Sequence, residues 1–420
     1  MGPYTRPIPF AVEVCTMTVE IRSCRDGEEL KAYQKNVNYV FASAPSEVDD
    51  LTTPAADWTT CAWVDGQLAT TLATLPFTVR LNGNPVKIGG VTAVGTMPAY
   101  RRQGLLRKVM HEALRLMHER DQHMAILWAS MGAIYQRFGY GLASAMVRYA
   151  VDPRFAQFHS GAPAPGSIEL LEKEEAFPII KQNYITWVQD KNLAIHRSSV
   201  LWQASTLNAH VKDHPVYCAI YRDANGEVRG HAVYQTNDGQ FTDTGPGQAM
   251  TVRDFVWHDV EAYRGLWDYL RSHDLVRRID FNHVAEDDPA PELLLEPRML
   301  NRRTSDGIWM RVVDAEKALG DRPYGARGEL TISVAPDPMC PWNEGTYLLE
   351  TDGPSASVRR VDREPDLTLT VNELPTLISG YRGASHLARA GRVEARDQQA
   401  LRTADAIFRT ERTPHCPNDF

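Results

Sequence analysis

The stretch from Val91 to Gly141 holds the residue types and spacings best suited to chemistry: VTAVGTMPAYRRQGLLRKV, then WASMGAIYQRFGYG. A strand-like run breaks at Pro98, and a turn, Arg101-x-x-Gly104-x-Leu106, opens directly onto a long segment of helical apolar periodicity. A glycine-containing turn at a helix start leaves backbone N–H groups unpaired and presents the positive end of the helix dipole. Together these suit a pyrophosphate. Arg101 and Arg102 add positive charge beside it. Taken alone, the turn reads equally well as a basic cap on a structural helix, because short glycine patterns are common.

The elements that must position this turn are legible on either side of it. Thr18 to Ser23 alternates like a strand, and Asp26-Gly27 leads into a helix with Leu30, Tyr33 and Val37 on one face. A meander follows: Cys61 to Val64, a turn at Asp65-Gly66, Leu68 to Leu81, a turn at Asn82-Gly83, and Val86 to Thr96. From Gly104 to Gln122, Leu106, Val109, Met110, Ala113, Leu114 and Met117 recur at helical spacing, and a strand, Met124 to Ala129, comes after. Strand, helix, strand in that order predicts a parallel crossover pair in an otherwise antiparallel sheet. His111 and His118 lie on the polar side of the helix and read as solvated surface, since their spacing matches no usual metal pair.

Beyond a linker at His159 to Ser167 the same order recurs: strands at Val216 to Tyr221, His231 to Tyr234 and Thr251 to Val256, a helix at Asp259 to Ser272, and a strand at Arg278 to Asn282. This reads as a degenerate internal copy. After the Pro-rich break at Asp287 to Pro297, Trp309 to Asp314 is strand-like. A third α+β unit then carries strands at Leu330 to Val334, Tyr347 to Thr351, Ala356 to Arg360 and Leu367 to Val371, with two short helices.

Composition bounds the possibilities. The 420 residues are 43% hydrophobic and 23% charged, with 28 Gly and 26 Pro, which is an ordinary globular composition with room for two or three cores. No run of about 18 apolar residues occurs, and the first residues carry neither a signal-peptide pattern nor, with Arg6 in place of Ser or Thr, a myristoylation motif. The expectation is a soluble, cytoplasmic protein without membrane contact. With 45 basic and 53 acidic side chains the net charge is −8, which disfavours nucleic acid and favours cationic partners. The six cysteines, Cys15, Cys24, Cys61, Cys218, Cys340 and Cys416, form no Cys-x-x-Cys pair, so neither structural zinc nor a disulfide framework nor a cysteine nucleophile is expected.

Two motifs together carry a specific resemblance. Arg101-Arg102-Gln103-Gly104-Leu105-Leu106-Arg107 resembles the R-R-x-G-L-L-R turn of the Eis (enhanced intracellular survival) family within the GNAT superfamily of N-acetyltransferases. Ile134 to Gly141, IYQRFGYG, resembles that family's I-Y-x-R-F-G-Y-G segment. The likeness runs from about Thr18 through Leu377 to Gly391 (LISGYRGASHLARAG) to Phe420. It implies an α/β (α+β) chain: two tandem GNAT-like domains, each a mixed sheet with helices on both faces and the second copy degenerate, plus a C-terminal α+β domain resembling sterol carrier protein. The implied boundaries are 1–155, 156–305 and 306–420.

The resemblance also implies acetyl-CoA as co-substrate and no metal. Val94 and Thr96 would pair with the pantetheine arm, Arg101, Arg102, Gln103, Gly104, Leu105 and Leu106 would hold the pyrophosphate, and Ser130 and Arg137 match further cofactor-side positions. Tyr135 would be the general acid that protonates the departing thiolate, and the terminal carboxylate of Phe420 the general base, acting through water. The physical reasons are plain: a thiolate leaving group needs a proton, and an amine protonated at neutral pH must lose one before it attacks. By the same resemblance the backbone N–H near Val94 would polarise the thioester carbonyl. Met131 and Gln103 depart from the family pattern without removing a catalytic group. Asp419 keeps the tail acidic, which suits a cationic acceptor such as an aminoglycoside, a polyamine or a peptide lysine. Tyr140 reads as packing; Trp63, Phe41, Tyr39 and Phe77 fit either a pocket lining or, more commonly for scattered aromatics, the core. A hexamer is a further implication. The rival readings are a ligand-binding protein built on the C-terminal domain and an acyltransferase preferring longer acyl chains.

Overall fold

The computed structural model describes residues 17–420 apart from 47–48, 160–163, 209–213, 242, 244 and 246. The expectations resting on Arg6 and Cys15, and the middle of the linker expected at 159–167, lie outside the described residues. The chain opens with β1 (Val19–Arg22), α1 (Gly27–Val40), β2 (Cys61–Val64), β3 (Gln67–Leu81) and β4 (Asn84–Thr96). Asp65, Gly66, Asn82 and Gly83 all have positive φ, as the two hairpin turns require. The long amphipathic segment forms α2 (Leu105–Glu119), followed by β5 (Met124–Trp128), the short α3 (Gly132–Gln136) and β6 (Gly141–Leu142). β4 and β5 are parallel neighbours, the crossover that the element order predicts.

Next come β7 (Ala145–Val151), β8 (Ser167–Glu172), α4 (Lys173–Trp187), β9 (Ala194–Ile195), β10 (Val216–Arg222), β11 (Val228–Thr236), β12 (Gln248–Trp257), α5 (Val260–Arg271), β13 (Val276–Val284) and β14 (Arg303–Asp306). β12 and β13 are again parallel across a helix, so the repeat in element order is a repeat in topology. The remainder supplies β15 (Ile308–Val312), β16 (Gly328–Val334), β17 (Gly345–Thr351), β18 (Ala356–Arg360), β19 (Leu367–Leu369) and β20 (Val393–Ala395). Where two helices are expected here, four form: Ala315–Gly320, Leu374–Ile378, Ala384–Arg389 and Gln398–Phe408.

Sheet membership does not follow a contiguous division at 155 and 305. The first sheet runs β1-β2-β3-β4-β5-β15-β6 with β9 beside β3, and the second runs β14-β7-β13-β12-β11-β10-β8. Thus β7 has already left the first sheet, and β15, which starts at Ile308 long after β5 ends at Trp128, returns to it. The hinge of this exchange is Ser144, whose carbonyl accepts from Gly307 N at 2.9 Å and whose hydroxyl accepts from Ile308 N at 3.0 Å. One antiparallel ribbon, β6–β7 against β14–β15, therefore stitches both sheets together.

Each large sheet is covered on both faces. Val109, Met110, Ala113, Leu114 and Met117 of α2, all at most 1% exposed, pack on one face of the first sheet. The other face merges with the C-terminal domain: Val79, Ile88, Ile126 and Met310 share one core with Leu330, Ile332, Leu377 and Phe408. A buried ion pair ties β15 to the same domain on the α2 face of the sheet, where Trp309, Val313, Met339 and Cys340 pack. Arg311 on β15 donates to Asp337 at 2.6 and 2.8 Å, and Asp337 also accepts from the backbone of Met339 and Cys340.

Candidate active site

The site is the place where β4 and β5 part. Their ladder consists of Gly89 opposite Ala125 and Gly90 opposite Ile126. Beyond that apex β4 runs on to Thr96 and β5 to Trp128, so the two strands form the arms of a V. Glycine is needed at the apex because Phe77 of β3 lies across it: a Cβ on Gly90 would stand 2.1 Å from the Phe77 ring. Past the apex, β4 bulges. The register with β3 shifts between Thr71 and Ala73, Ala93 takes φ +53°, and the Thr71 hydroxyl fixes the Ala93 carbonyl at 2.9 Å. A bulge re-aims the residue that follows. Here that residue is Val94, half-buried on the arm of the V. Thr96 is tied to Thr70 through their hydroxyls at 3.1 Å.

The turn at the end of β4 has the form expected of an anion cradle. Gly104 sits at φ +76° as the N-cap of α2, with no side-chain cap and no acidic residue in the first turn. Arg101, Arg102, Gln103 and Gly104 are all exposed. Arg102 is itself left-handed at φ +65°, so the turn coils tightly enough to bring successive N–H groups round to one side. Arg101 Nε donates to the Thr96 carbonyl at 3.0 Å and Gln103 Nε2 to the Ala99 carbonyl at 3.2 Å, which ties the turn to the strand end. Leu105 is 3% exposed and belongs to the core by its side chain, leaving only its backbone on the cradle side. Leu106 is half-buried against the same core.

Across the V, Tyr135 projects from the short helix α3 with 5% of its surface exposed. Its ring meets Tyr140 edge-on at 5.8 Å. Burial pushes the phenol above its ordinary value, partly offset by a hydrogen bond with the Ser130 side chain. Ser130 itself is exposed, as is Arg137, whose guanidinium lies 5.8 Å from the Phe138 ring. Tyr140 is fully buried and its hydroxyl rests against Met110 Sδ at 3.8 Å, consistent with packing. The segment is locked from the C-terminal domain. Asn372 Nδ2 donates to the carbonyls of Gln136 at 2.9 Å and Tyr140 at 2.8 Å.

The chain end arrives at the apex from the opposite side. Phe420 packs edge-on against Phe77 at 5.0 Å, the same ring that covers Gly90. One residue earlier Asp419 reaches His283 of β13, Oδ2 to Nε2 at 3.2 Å. Asn418 is 1% exposed, and its carbonyl accepts from the indole Nε1 of Trp128 at 2.9 Å. Thus Val94 and Tyr135 pack in the cluster on the α2 face of the first sheet, Thr96 and Ser130 follow the ends of the two arms, and Phe420 packs with the cluster on the other face. Arg137 is exposed, and the turn from Arg101 to Gly104 follows the far end of the β4 arm.

Some side chains stand elsewhere than expected. Trp63 and Phe77 are core, at 5% and 9% exposure, whereas Tyr39 and Phe41 are exposed at 61% and 47% instead of packed. His111 is solvated, but His118 is half-buried, stacked on Trp342 at 4.4 Å with Asp314 3.7 Å away, because the C-terminal domain covers that end of the helix. Trp128, His283, Asn372 and Asn418 carry contacts at the site and escape notice in the sequence. Trp128 alone lies near a motif, two residues before Ser130. No helix among the described residues is long and apolar enough to cross a membrane.

Comparison with known proteins agrees with this geometry. Acetyltransferase (GNAT) domain models match residues 20–143 and 193–312, and a sterol carrier protein domain model matches residues 315–417. The chain is 31% identical over 353 residues to an uncharacterised N-acetyltransferase of Streptomyces griseus, covering 81% of this chain and 83% of that one. It is 30% identical over 332 residues to the N-acetyltransferase Eis of Mycobacterium tuberculosis, covering 77% of this chain and 78% of the relative. The crystal structure of Eis1 from Mycobacterium abscessus superposes with a TM-score of 0.84 at 27% identity, over 96% of this chain and 100% of that one. A GCN5-related N-acetyltransferase from Anabaena variabilis shares the fold, with a TM-score of 0.84 at 20% identity and the same two coverages. The two GNAT domains, the sterol-carrier-like third domain and the open V with its uncapped helix thus converge: the chain belongs to the Eis family of GNAT N-acetyltransferases.

Proposed function

We propose that the chain transfers the acetyl group of acetyl-CoA to a primary amine of a cationic acceptor by direct attack in a ternary complex. The observation that carries this reading is the V between β4 and β5, with the buried Tyr135 on one side, Phe420 over its apex and an uncapped helix start at its end. In this reading Val94 and Thr96 offer backbone to the pantetheine arm, and Arg101 to Leu106 receive the pyrophosphate. Ser130 and Arg137 flank the cofactor side. The fit rests on chemistry the chain itself supplies: unpaired N–H groups, a dipole end and two arginines at one turn.

Tyr135 serves as general acid. A phenol whose proton is held more tightly than usual by burial stays protonated at neutral pH and is available to a thiolate as it departs. The α-carboxylate of Phe420 serves as general base through water, binding the acceptor ammonium and taking up its proton. Support for a cationic acceptor comes from the net charge of −8 and from Asp419 beside the chain end. Aminoglycosides, polyamines and peptide lysines are the acceptor classes to try. The same reading makes the protein cytoplasmic and homo-oligomeric, hexameric by family resemblance, which light scattering in solution tests.

The test is thiol release from acetyl-CoA across a panel of amines, with the native chain, Tyr135→Phe, and a chain extended by two residues after Phe420. Turnover that collapses in both variants is the expected result. Binding of acetyl-CoA without turnover on any amine would sink the acceptor class alone. Failure to bind acetyl-CoA would sink the enzyme reading and leave the C-terminal domain as a ligand carrier.

A further inference from the structure

We infer that Trp128 and His283 are positioning residues that bracket the C-terminal tail and thereby set the place of the Phe420 carboxylate. The inference rests on the proposed role of that carboxylate. The tail approaches the V without secondary structure of its own, and a free chain end is ordinarily frayed. Here it is held from two domains at once. Trp128, the last residue of β5, donates its indole N–H to the Asn418 carbonyl at 2.9 Å. From the second domain His283 reaches Asp419 at 3.2 Å, and its ring meets Trp128 edge-on at 5.6 Å. The Tyr184 hydroxyl approaches Asn418 Oδ1 at 3.4 Å while bonding the Ile195 carbonyl at 2.7 Å.

The bracket therefore joins the strand that carries the catalytic V, the degenerate domain and the chain end in one contact set. A terminal residue with one backbone bond left to rotate places its carboxylate only as well as the preceding residues are fixed, and proton transfer demands placement within hydrogen-bond reach. The Asp419 side chain is 70% exposed, so its pair with His283 is screened and contributes weakly by itself. The indole bond to a residue 1% exposed is the stronger arm.

Two measurements on the full chain test this. The first is release of the terminal phenylalanine by carboxypeptidase, followed by intact mass. Trp128→Phe, which keeps the ring packing and removes the donor, is expected to speed release about fivefold to tenfold, and His283→Asn about twofold. Equal rates in all three chains would overturn the bracket. The second is steady-state turnover, where Trp128→Phe is expected to lower kcat by about fivefold to tenfold with the acetyl-CoA KM unchanged. In a chain extended by two residues after Phe420 the same substitution is expected to change nothing further, because the carboxylate it positions has already been displaced. An equal loss in native and extended chains would show that Trp128 acts elsewhere and overturn the inference. Faster release in the variants together with full activity of the extended chain would uphold the bracket and bring down the base assignment instead.

Discussion

In the first domain the chain passes from β4, ending at Thr96, to α2, starting at Leu105, through a coiled basic turn; in the second it passes from β12, ending at Trp257, to α5, starting at Val260, through His258 and Asp259 alone. The helix starts differ accordingly. Gly104 offers no side-chain cap, whereas the Asp259 carboxylate accepts from Ala262 N at 2.8 Å and Glu261 adds a second acid to the first turn. A helix N-terminus is thus left open in one copy and capped by the protein's own carboxylate in the other. The strands tell the same story. β12 and β13 pair as far as Val252 opposite Phe281 and then part, but a cavity of about 130 Å³ there is lined also by Thr413, His415 and Pro417. The second V borders the chain's own tail. One topology, given two different turns, leaves an open helix start in one place and a seat for the chain's own tail in the other.

The largest effect that sharpens this contrast is loss of the phenol. Tyr135→Phe is expected to lower kcat about 100- to 1000-fold with little change in acetyl-CoA binding, measured by thiol release and by titration calorimetry. Residual turnover of half the native rate would sink the acid role of Tyr135. The phenols lining the second cavity are already committed: Tyr263 and Tyr149 both donate to Asp288 Oδ1, at 2.8 and 3.2 Å.

That carboxyl gives the next effect. Burial raises Asp288 from 3.8 to about 6, against the lowering influence of its hydrogen-bond donors. Between those two pH values the folded chain holds a proton that the unfolded chain has lost, so stability falls as pH rises through the window, by about 3 kcal/mol in total. Asp288→Asn removes that term. Urea unfolding between pH 4 and pH 6.5 is expected to show a shallower decline for the variant than for the native chain, and parallel curves would refute it. Among the described residues no carboxyl acts on the phenol in the first V, where burial and the Ser130 side chain are the influences on Tyr135.

Smaller still is the cost of a methyl group on the turn. Gly104→Ala meets no atom within 4 Å, so crowding is not the issue; its φ of +76° is. The left-handed conformation costs an alanine about 1 kcal/mol relative to glycine. Relaxing the turn to relieve it is expected to raise the acetyl-CoA Kd about fivefold, with kcat at saturation unchanged.

How much of this contrast could be read in the sequence follows from how local each feature is. The hairpins at Asp65-Gly66 and Asn82-Gly83, the periodic helix α2 and the crossover are fixed by residues within a few positions of each other, and they stand where the pattern places them. The repeat in element order was legible for the same reason, and the family motifs lie in one continuous stretch. What local pattern does not encode is partnership between distant segments. The strand β15 enters the first sheet because Ser144 holds Gly307 and Ile308, and no periodicity near Trp309 announces that choice. His118 reads as surface until Trp342 stacks on it. The tail's seat is the extreme case, since Trp128, His283 and Asn418 each look unremarkable and acquire meaning only together.

The smallest effect asks which feature closes the second domain to acetyl-CoA: the acid that caps α5 or the short connection before it. Asp259→Ala removes the cap and the ion pair with Arg229, whose Nε stands 2.9 Å from the carboxylate. Loss of an N-cap costs about 1 kcal/mol, readable as a lowered unfolding midpoint. If the cap alone blocked the site, the uncapped N–H groups and the nearby arginine would now accept a pyrophosphate, and calorimetry would find two acetyl-CoA molecules per chain. The expected stoichiometry stays at one. With His258 and residue 259 as the whole connection, the chain has no coiled turn to array several N–H groups around one anion, and the first V owes its capacity to the long turn from Met97 to Gly104 more than to the absence of an acid.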